Sequence, residues 1–177
     1  PDTRRTMRRT RAFKILANVC RLILACTFIL SGFSKVIDPW GTALKVNEYL
    51  SIYGMEYLQP ASMTFSIWLC GAELMMGCML LFKVRIRLIS LFALVSMIFF
   101  TLLTLLSATL IPVEDCGCFG EALKLTPWET FAKNVALLPM AFVVWWRYRP
   151  DKIFAFKPLE IVLTCTFFFL SMYLGYY

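Results

Sequence analysis

The sequence predicts an all-α membrane protein with five transmembrane helices and a short interfacial amphipathic helix. Three observations carry this. The 177 residues are 60% hydrophobic and 16% charged, with a mean hydropathy of +0.72, whereas a soluble domain is about 45–50% apolar and about 25% charged. The apolar residues gather in five segments, each near the ~20 residues a helix needs to cross ~30 Å of hydrocarbon. Lys and Arg concentrate in alternate links between those segments, the pattern expected where basic residues stay on the cytoplasmic side.

The first segment runs from about Phe13 to Gly32, behind a basic arm over residues 1–12. The arm and apolar run resemble a signal peptide. The run is long, however, and is followed by "SGFSKVIDP" rather than a small-residue cleavage site, so it reads as a retained span. The second and third spans cover about Ala61–Phe82 and Leu88–Ile111. The fourth, about Trp128–Trp146, is less pure because it carries Lys133, Asn134 and Pro139. A link over 147–158 leads to a fifth span over 159–177. The chain stops at "LGYY", directly after this apolar run, and further polypeptide is expected after Tyr177.

Charge sets the orientation. Arg4, Arg5, Arg8, Arg9, Arg11 and Lys14 precede span one, Lys83, Arg85 and Arg87 join spans two and three, and Arg147, Arg149, Lys152 and Lys157 precede span five. The other two links hold only Lys35, Lys45, Lys124 and Lys133, with most of the acids. The N-terminus is therefore expected in the cytoplasm, and the link between spans three and four outside, with the C-terminus. Topology and anionic lipid account for the net charge of +7, so no nucleic-acid partner is expected.

The outer links contain helix starts. Asp38-Pro39 reads as an N-cap with proline at the first helical position. Ala43, Val46, Tyr49, Leu50 and Tyr53 follow at helical spacing among polar residues, which predicts a short amphipathic helix on the outer membrane face. Thr126-Pro127-Trp128-Glu129 reads as a capping box opening span four. Between Pro112 and that cap lies "EDCGCFG", residues 114–120.

The chain has no histidine. This removes the commonest metal and haem ligand and any Ser-His or Cys-His catalytic pair. No haem is expected. Of seven cysteines, Cys20, Cys26, Cys70, Cys78 and Cys165 fall within apolar spans and read as small hydrophobes. Cys116 and Cys118 differ, because the charge pattern places them on the oxidising side of a bacterial-type inner membrane. Gly117 between them permits the turn that brings two sulfurs together. A C-x-C disulfide closes a very small ring, and strained disulfides are the labile, exchanging ones. Glu114 and Asp115 disfavour a thiolate at Cys116, which leaves Cys118 as the attacking sulfur. An inert turn disulfide and a soft-metal clip for Cu(I) are the rival readings of the same residues.

Glu73 lies near the middle of span two, where a charge is costly and marks a candidate functional position. Lys35, with Asp38 beside it, is the nearest partner by depth. The pair reads either as a structural clamp between spans one and two or as a proton or quinone-head contact. Gly32, Gly71 and Gly77 suit close helix approach, and Asn134 suits a hydrogen bond within the bundle.

"SGFSKVIDP", "GAELMMGCMLL", "DCGCFG" and "TPWETFAKNVALL" together resemble the DoxX/MauE-type membrane proteins, and the cysteine motif points to the MauE, methylamine-utilisation branch. The resemblance covers roughly Cys20 to Trp146. It implies a four-helix transmembrane bundle over 13–146, with the fifth span as an addition. It also implies a role near the maturation of a disulfide-rich periplasmic protein, or near sulfur and quinone redox systems. Cys116 and Cys118 match the family's cysteine pair, and Lys35, Asp38, Glu73 and Asn134 match recurring polar positions. Lys133 departs from the pattern, standing where an arginine is expected before Asn134. Nothing in the residues specifies methylamine metabolism.

The expectation is therefore a multi-pass protein of the bacterial inner membrane that acts as a thiol–disulfide oxidoreductase, or as an accessory to one. Cys116 and Cys118 would exchange with a periplasmic thioredoxin-like or disulfide-rich partner. With one outward cysteine pair in the chain, a quinone contacting that pair, or a second pair elsewhere, would complete the electron path. Two other classes stay open: a non-enzymatic assembly scaffold with a structural C-x-C clip, and a soft-metal binding protein.

Overall fold

The computed structural model describes residues 11–109 and 126–149, with the single positions Val162, Thr166, Phe169 and Tyr173. The arm before Arg11, Glu114, Asp115, Cys116, Gly117 and Cys118, the link beyond Arg149, and the rest of the fifth expected span lie outside the described residues.

The described chain is all-α. Helix α1 spans Arg11–Ile37, five residues beyond the Gly32 boundary expected from hydropathy. "SGFSKVI" is polar enough to end an apolar window but contains nothing that breaks a helix. The break comes at Asp38, because the following proline disfavours helical backbone in the residue before it. Asp38 then serves as N-cap of α2, Pro39–Ile52, accepting from the Gly41 N–H at 3.0 Å. This is the cap and the short helix that the sequence predicts. A 3₁₀ turn, Glu56–Ala61, leads into α3, Ser62–Phe82.

A three-residue turn joins α3 to α4, Ile86–Thr109. The N–H groups of Lys83 and Val84 both return to the Met79 carbonyl, and Lys83 adopts φ 58°. Helix α5, Pro127–Tyr148, opens on the expected capping box: Thr126 Oγ1 accepts from Glu129 N–H, and Glu129 accepts from Thr126 N–H.

Among the described residues, three helical segments are long and apolar enough to cross a membrane: Arg11–Ile37, Glu56–Phe82 and Ile86–Thr109. The chain is thus a multi-pass membrane protein. Helix α5, which carries Glu129, Lys133 and Arg147, is not among the three.

Helix α1 packs along α3, α4 along α5, and α1 closes the bundle against α5, while α2 lies against α3. Leu24, Ala25 and Phe28 of α1 meet Met79 and Leu80 of α3, Ala93 and Met97 of α4, and Ala141 and Val144 of α5 in one continuous core. Two glycines set the α1–α3 distance. A Cβ on Gly32 would stand 2.5 Å from the Leu74 backbone nitrogen, and one on Gly77 would stand 2.7 Å from that of Ile29. Outside this core, large apolar side chains such as Leu30, Phe92, Leu102 and Phe142 are exposed. Lipid covers such a surface at no cost in hydration.

Candidate functional site

The most polar point in the interior is built by α1 and α3. Lys35, in the last turn of α1, reaches Glu73 on α3. Its Nζ donates to Glu73 Oε1 at 2.8 Å and Oε2 at 2.7 Å. Both side chains are at least 95% buried. Ser31 lies four residues before Lys35, so it shares that helix face, and its hydroxyl donates to Glu73 Oε2 at 3.1 Å. The carboxylate therefore takes three hydrogen bonds from α1. The Lys35 ammonium also sits 5.6 Å from the centroid of the Phe100 ring on α4, within cation–π reach. Two opposite charges held this way form a neutral unit, the form in which ionisable groups are tolerated at membrane depth.

Asn134 faces the same region from α5. Its amide donates to the Phe100 carbonyl and to Thr104 Oγ1, both at 3.4 Å. Ser31, Lys35, Glu73, Lys133 and Asn134 border a cavity of about 30 Å³, enough for an ordered water. The structure thus brings three of the four expected intramembrane polar residues, Lys35, Glu73 and Asn134, to one place. Asp38 is not part of this cluster and caps α2 instead.

Lys35 also borders a second cavity, of about 240 Å³. Its walls come from α2, α3 and α4, with the aromatic rings of Tyr49, Phe65, Phe99 and Phe100 prominent among them. Lys35, Thr42, Lys45 and Thr104 are polar residues on its wall, and Lys45 pairs with Glu48 at 3.2 Å. Lys35, Phe100 and Thr104 link the two regions, since Thr104 also accepts from Asn134. Just above, the hydroxyls of Tyr49 and Ser107 are 2.8 Å apart and tie α2 to α4.

Sequence reasoning missed Ser31, Thr42 and Thr104. The signal for Ser31 was its one-turn spacing from Lys35. Thr42 and Thr104 carried none, because an isolated threonine in a helix is ordinary. Arg21 was also missed. It is buried in α1, and its guanidinium donates to the Leu80 and Leu81 carbonyls at the end of α3, which have no partner within their own helix. Cys20, Cys26, Cys70 and Cys78 are free thiols. The buried Cys70 lies 4.0 Å from Thr42 Oγ1.

Comparison with known proteins places this arrangement. A family model described as methylamine utilisation protein MauE matches residues 13–147. "Protein TlpB" of Flavobacterium psychrophilum is 28% identical over 120 residues, covering 65% of this chain and 32% of its own length. The chain therefore spans about a third of that curated relative. No solved structure matches significantly.

Proposed function

Since the chain belongs to the MauE family, we propose that it is a thiol–disulfide oxidoreductase of the bacterial inner membrane, or the accessory factor of one, with Cys116 and Cys118 as its exchanging sulfurs. In this reading α5 is the fourth span, the N-terminus is cytoplasmic and the "EDCGCFG" segment is periplasmic. The observation that carries the proposal is the position of the C-x-C in the chain. It falls between Thr109, the last residue of α4, and Thr126, the cap of α5. These two helix ends flank the antiparallel α4–α5 pair on the side of the bundle where α2 lies, and the alternation of basic links supports reading that side as the exterior.

The reaction balances as a two-electron exchange. The Cys118 thiolate attacks a disulfide of a thioredoxin-like or disulfide-rich partner and forms a mixed disulfide. Cys116 then displaces the partner sulfur, leaving a Cys116–Cys118 disulfide and a reduced partner. The reverse sequence oxidises the partner, and the relative potentials set the direction. Nothing in this chemistry needs histidine, which the chain lacks.

Thiol trapping in intact cells, with mass-tagged maleimide after acid quench, tests the proposal. The expected result is a pool of Cys116/Cys118 that shifts between reduced and oxidised forms, and altered partner disulfides in the C116S/C118S strain. A pair that never changes state, with normal partner disulfides in that strain, would overturn it. A double variant that fails to accumulate in the membrane would instead support a structural clip.

A further inference from the structure

We infer that the cavity between α2, α3 and α4 holds one acyl chain of a membrane phospholipid, and that Lys45 and Glu48 at its rim select a zwitterionic headgroup with a primary ammonium, the phosphatidylethanolamine type. The inference goes beyond the cysteine proposal and does not rest on it.

The interior fits a chain without polar groups. Tyr53, Phe65, Leu69, Phe99 and Leu103 border the space. The buried polar residues that also border it have partners inside the protein. Lys35 is paired with Glu73. Thr104 accepts from Asn134 and donates to the Phe100 carbonyl. The Thr42 hydroxyl lies 4.0 Å from Cys70 Sγ. An apolar cavity stays dry and takes apolar molecules. One of ~150 Å³ holds the six carbons of benzene, so about 240 Å³ takes roughly ten carbons of chain.

Access is from the membrane. Phe65 of α3 and Phe99 of α4 border the cavity while more than half exposed, so the space opens between them onto the lipid-facing surface. Phe99 and Thr104 precede Thr109, the end of α4, by about 8–15 Å at 1.5 Å rise per residue. With the helix end level with the headgroups, that is the depth of the upper acyl chain.

The rim selects the head. Lys45 borders the cavity, and its ammonium meets Glu48 at 3.2 Å, with side chains 29% and 40% exposed. Its stem covers apolar wall while its charge stays outward. A part-exposed pair within one helix is weak, and an ammonium has three donor hydrogens. A phosphate oxygen therefore joins Lys45 without displacing Glu48. A headgroup of net negative charge would set that charge against the Glu48 carboxylate. A phosphate with a primary ammonium one short link away meets Lys45 with the first and Glu48 with the second. A quaternary ammonium has no N–H to donate.

The test reconstitutes the full chain in vesicles of equal parts dioleoyl phosphatidylethanolamine, phosphatidylcholine and phosphatidylglycerol. It then releases the protein in mild detergent and counts retained lipids by native mass spectrometry. The expected result is one retained phospholipid per chain, with phosphatidylethanolamine favoured about three- to five-fold, the scale of a part-exposed ionic contact. Val46→Trp, on the peripheral helix α2, fills the cavity and should remove the retained lipid while circular dichroism shows the helix content kept. Leu103→Phe provides the same block from α4 should the first variant not fold. Glu48→Gln leaves the cavity open, so one lipid should remain, without the preference for phosphatidylethanolamine over phosphatidylcholine. Retention unchanged in the filled variants, equal retention of the three lipids, a preference that survives Glu48→Gln, or displacement by chain-free O-phosphoethanolamine would each overturn the inference.

Discussion

Lys35 and Glu73 close an ion pair at 2.7 Å between α1 and α3, with both side chains almost fully buried and Ser31 completing the carboxylate. In hydrocarbon each charge is tolerable only because the other is present. The pair thus fixes the helix register and makes each partner's stability conditional on the other.

Glu73→Gln should therefore cost about 3–5 kcal/mol, the range for removing one partner of a buried pair. The Lys35→Met/Glu73→Leu double variant should recover most of that loss, since apolar replacements of a buried pair are often neutral. Thermal unfolding in detergent, followed by circular dichroism, gives the comparison. Equal losses in the single and double variants would show that the pair does not act as a unit. A double variant that is stable but inactive in the thiol-trapping assay would give the pair a role beyond clamping.

Gly32→Ala should also destabilise, by about 1–3 kcal/mol as for an overpacked core. The new Cβ would press on the Leu74 backbone nitrogen at 2.5 Å, and backbone cannot rotate away. Relief requires α1 and α3 to separate one turn from the Lys35–Glu73 pair. A decrease in melting temperature, together with new maleimide reactivity at the buried Cys70, is the expected signature. An unchanged melting temperature would mean that the interface has slack the geometry does not show.

Much of this architecture was legible in the sequence, and the illegible parts share a cause. The caps at Asp38 and Thr126 were readable because capping depends on neighbours in sequence, and both form as expected. The end of α1 was misjudged because hydropathy reports solvent preference, whereas the helix stops only where Pro39 forces it to. Lys35 and Glu73 were conspicuous because charge at membrane depth is rare. Arg21 was hidden among the basic residues that set topology, although it serves as a cap for α3 supplied from 59 residues away in the chain. Long-range partners of this kind leave no local pattern. The aromatic cavity was invisible for the same reason: Tyr49, Phe65 and Phe100 lie on three helices and read individually as interfacial or core residues.

The Lys83 turn offers a stabilising substitution. Lys83 is exposed and holds φ 58°, a left-handed conformation that costs a non-glycine residue roughly 1–2 kcal/mol. Glycine takes the same position freely, and it is the common residue where a helix ends this way. Lys83→Gly should raise stability by about 1 kcal/mol, and Lys83→Val should lower it, both read from melting temperature. Arg85 and Arg87 keep the link basic, so topology should not change. A destabilised Lys83→Gly protein would mean that the lysine side chain holds the turn through its own contacts.

The capping box predicts a pH dependence with a defined sign. Hydrogen bonds from the Thr126 N–H and hydroxyl to the Glu129 carboxylate hold its pKa below the ordinary glutamate value. A depressed folded-state pKa means that the unfolded chain binds its proton first as pH falls. The stabilisation from Glu129 is therefore fully present above the unfolded glutamate pKa and is lost as pH drops through the lower, folded value. Glu129→Gln lacks the charge at every pH. The melting temperatures of wild type and variant should differ most near neutrality and converge in acid, with the convergence midpoint below the usual glutamate pKa of about 4.3. A difference that stays constant across the titration would show that the carboxylate charge contributes nothing and that the cap works through the Thr126 hydroxyl alone. Convergence would instead identify the charged Glu129 as the group that anchors the first turn of α5, next to the segment that carries Cys116 and Cys118.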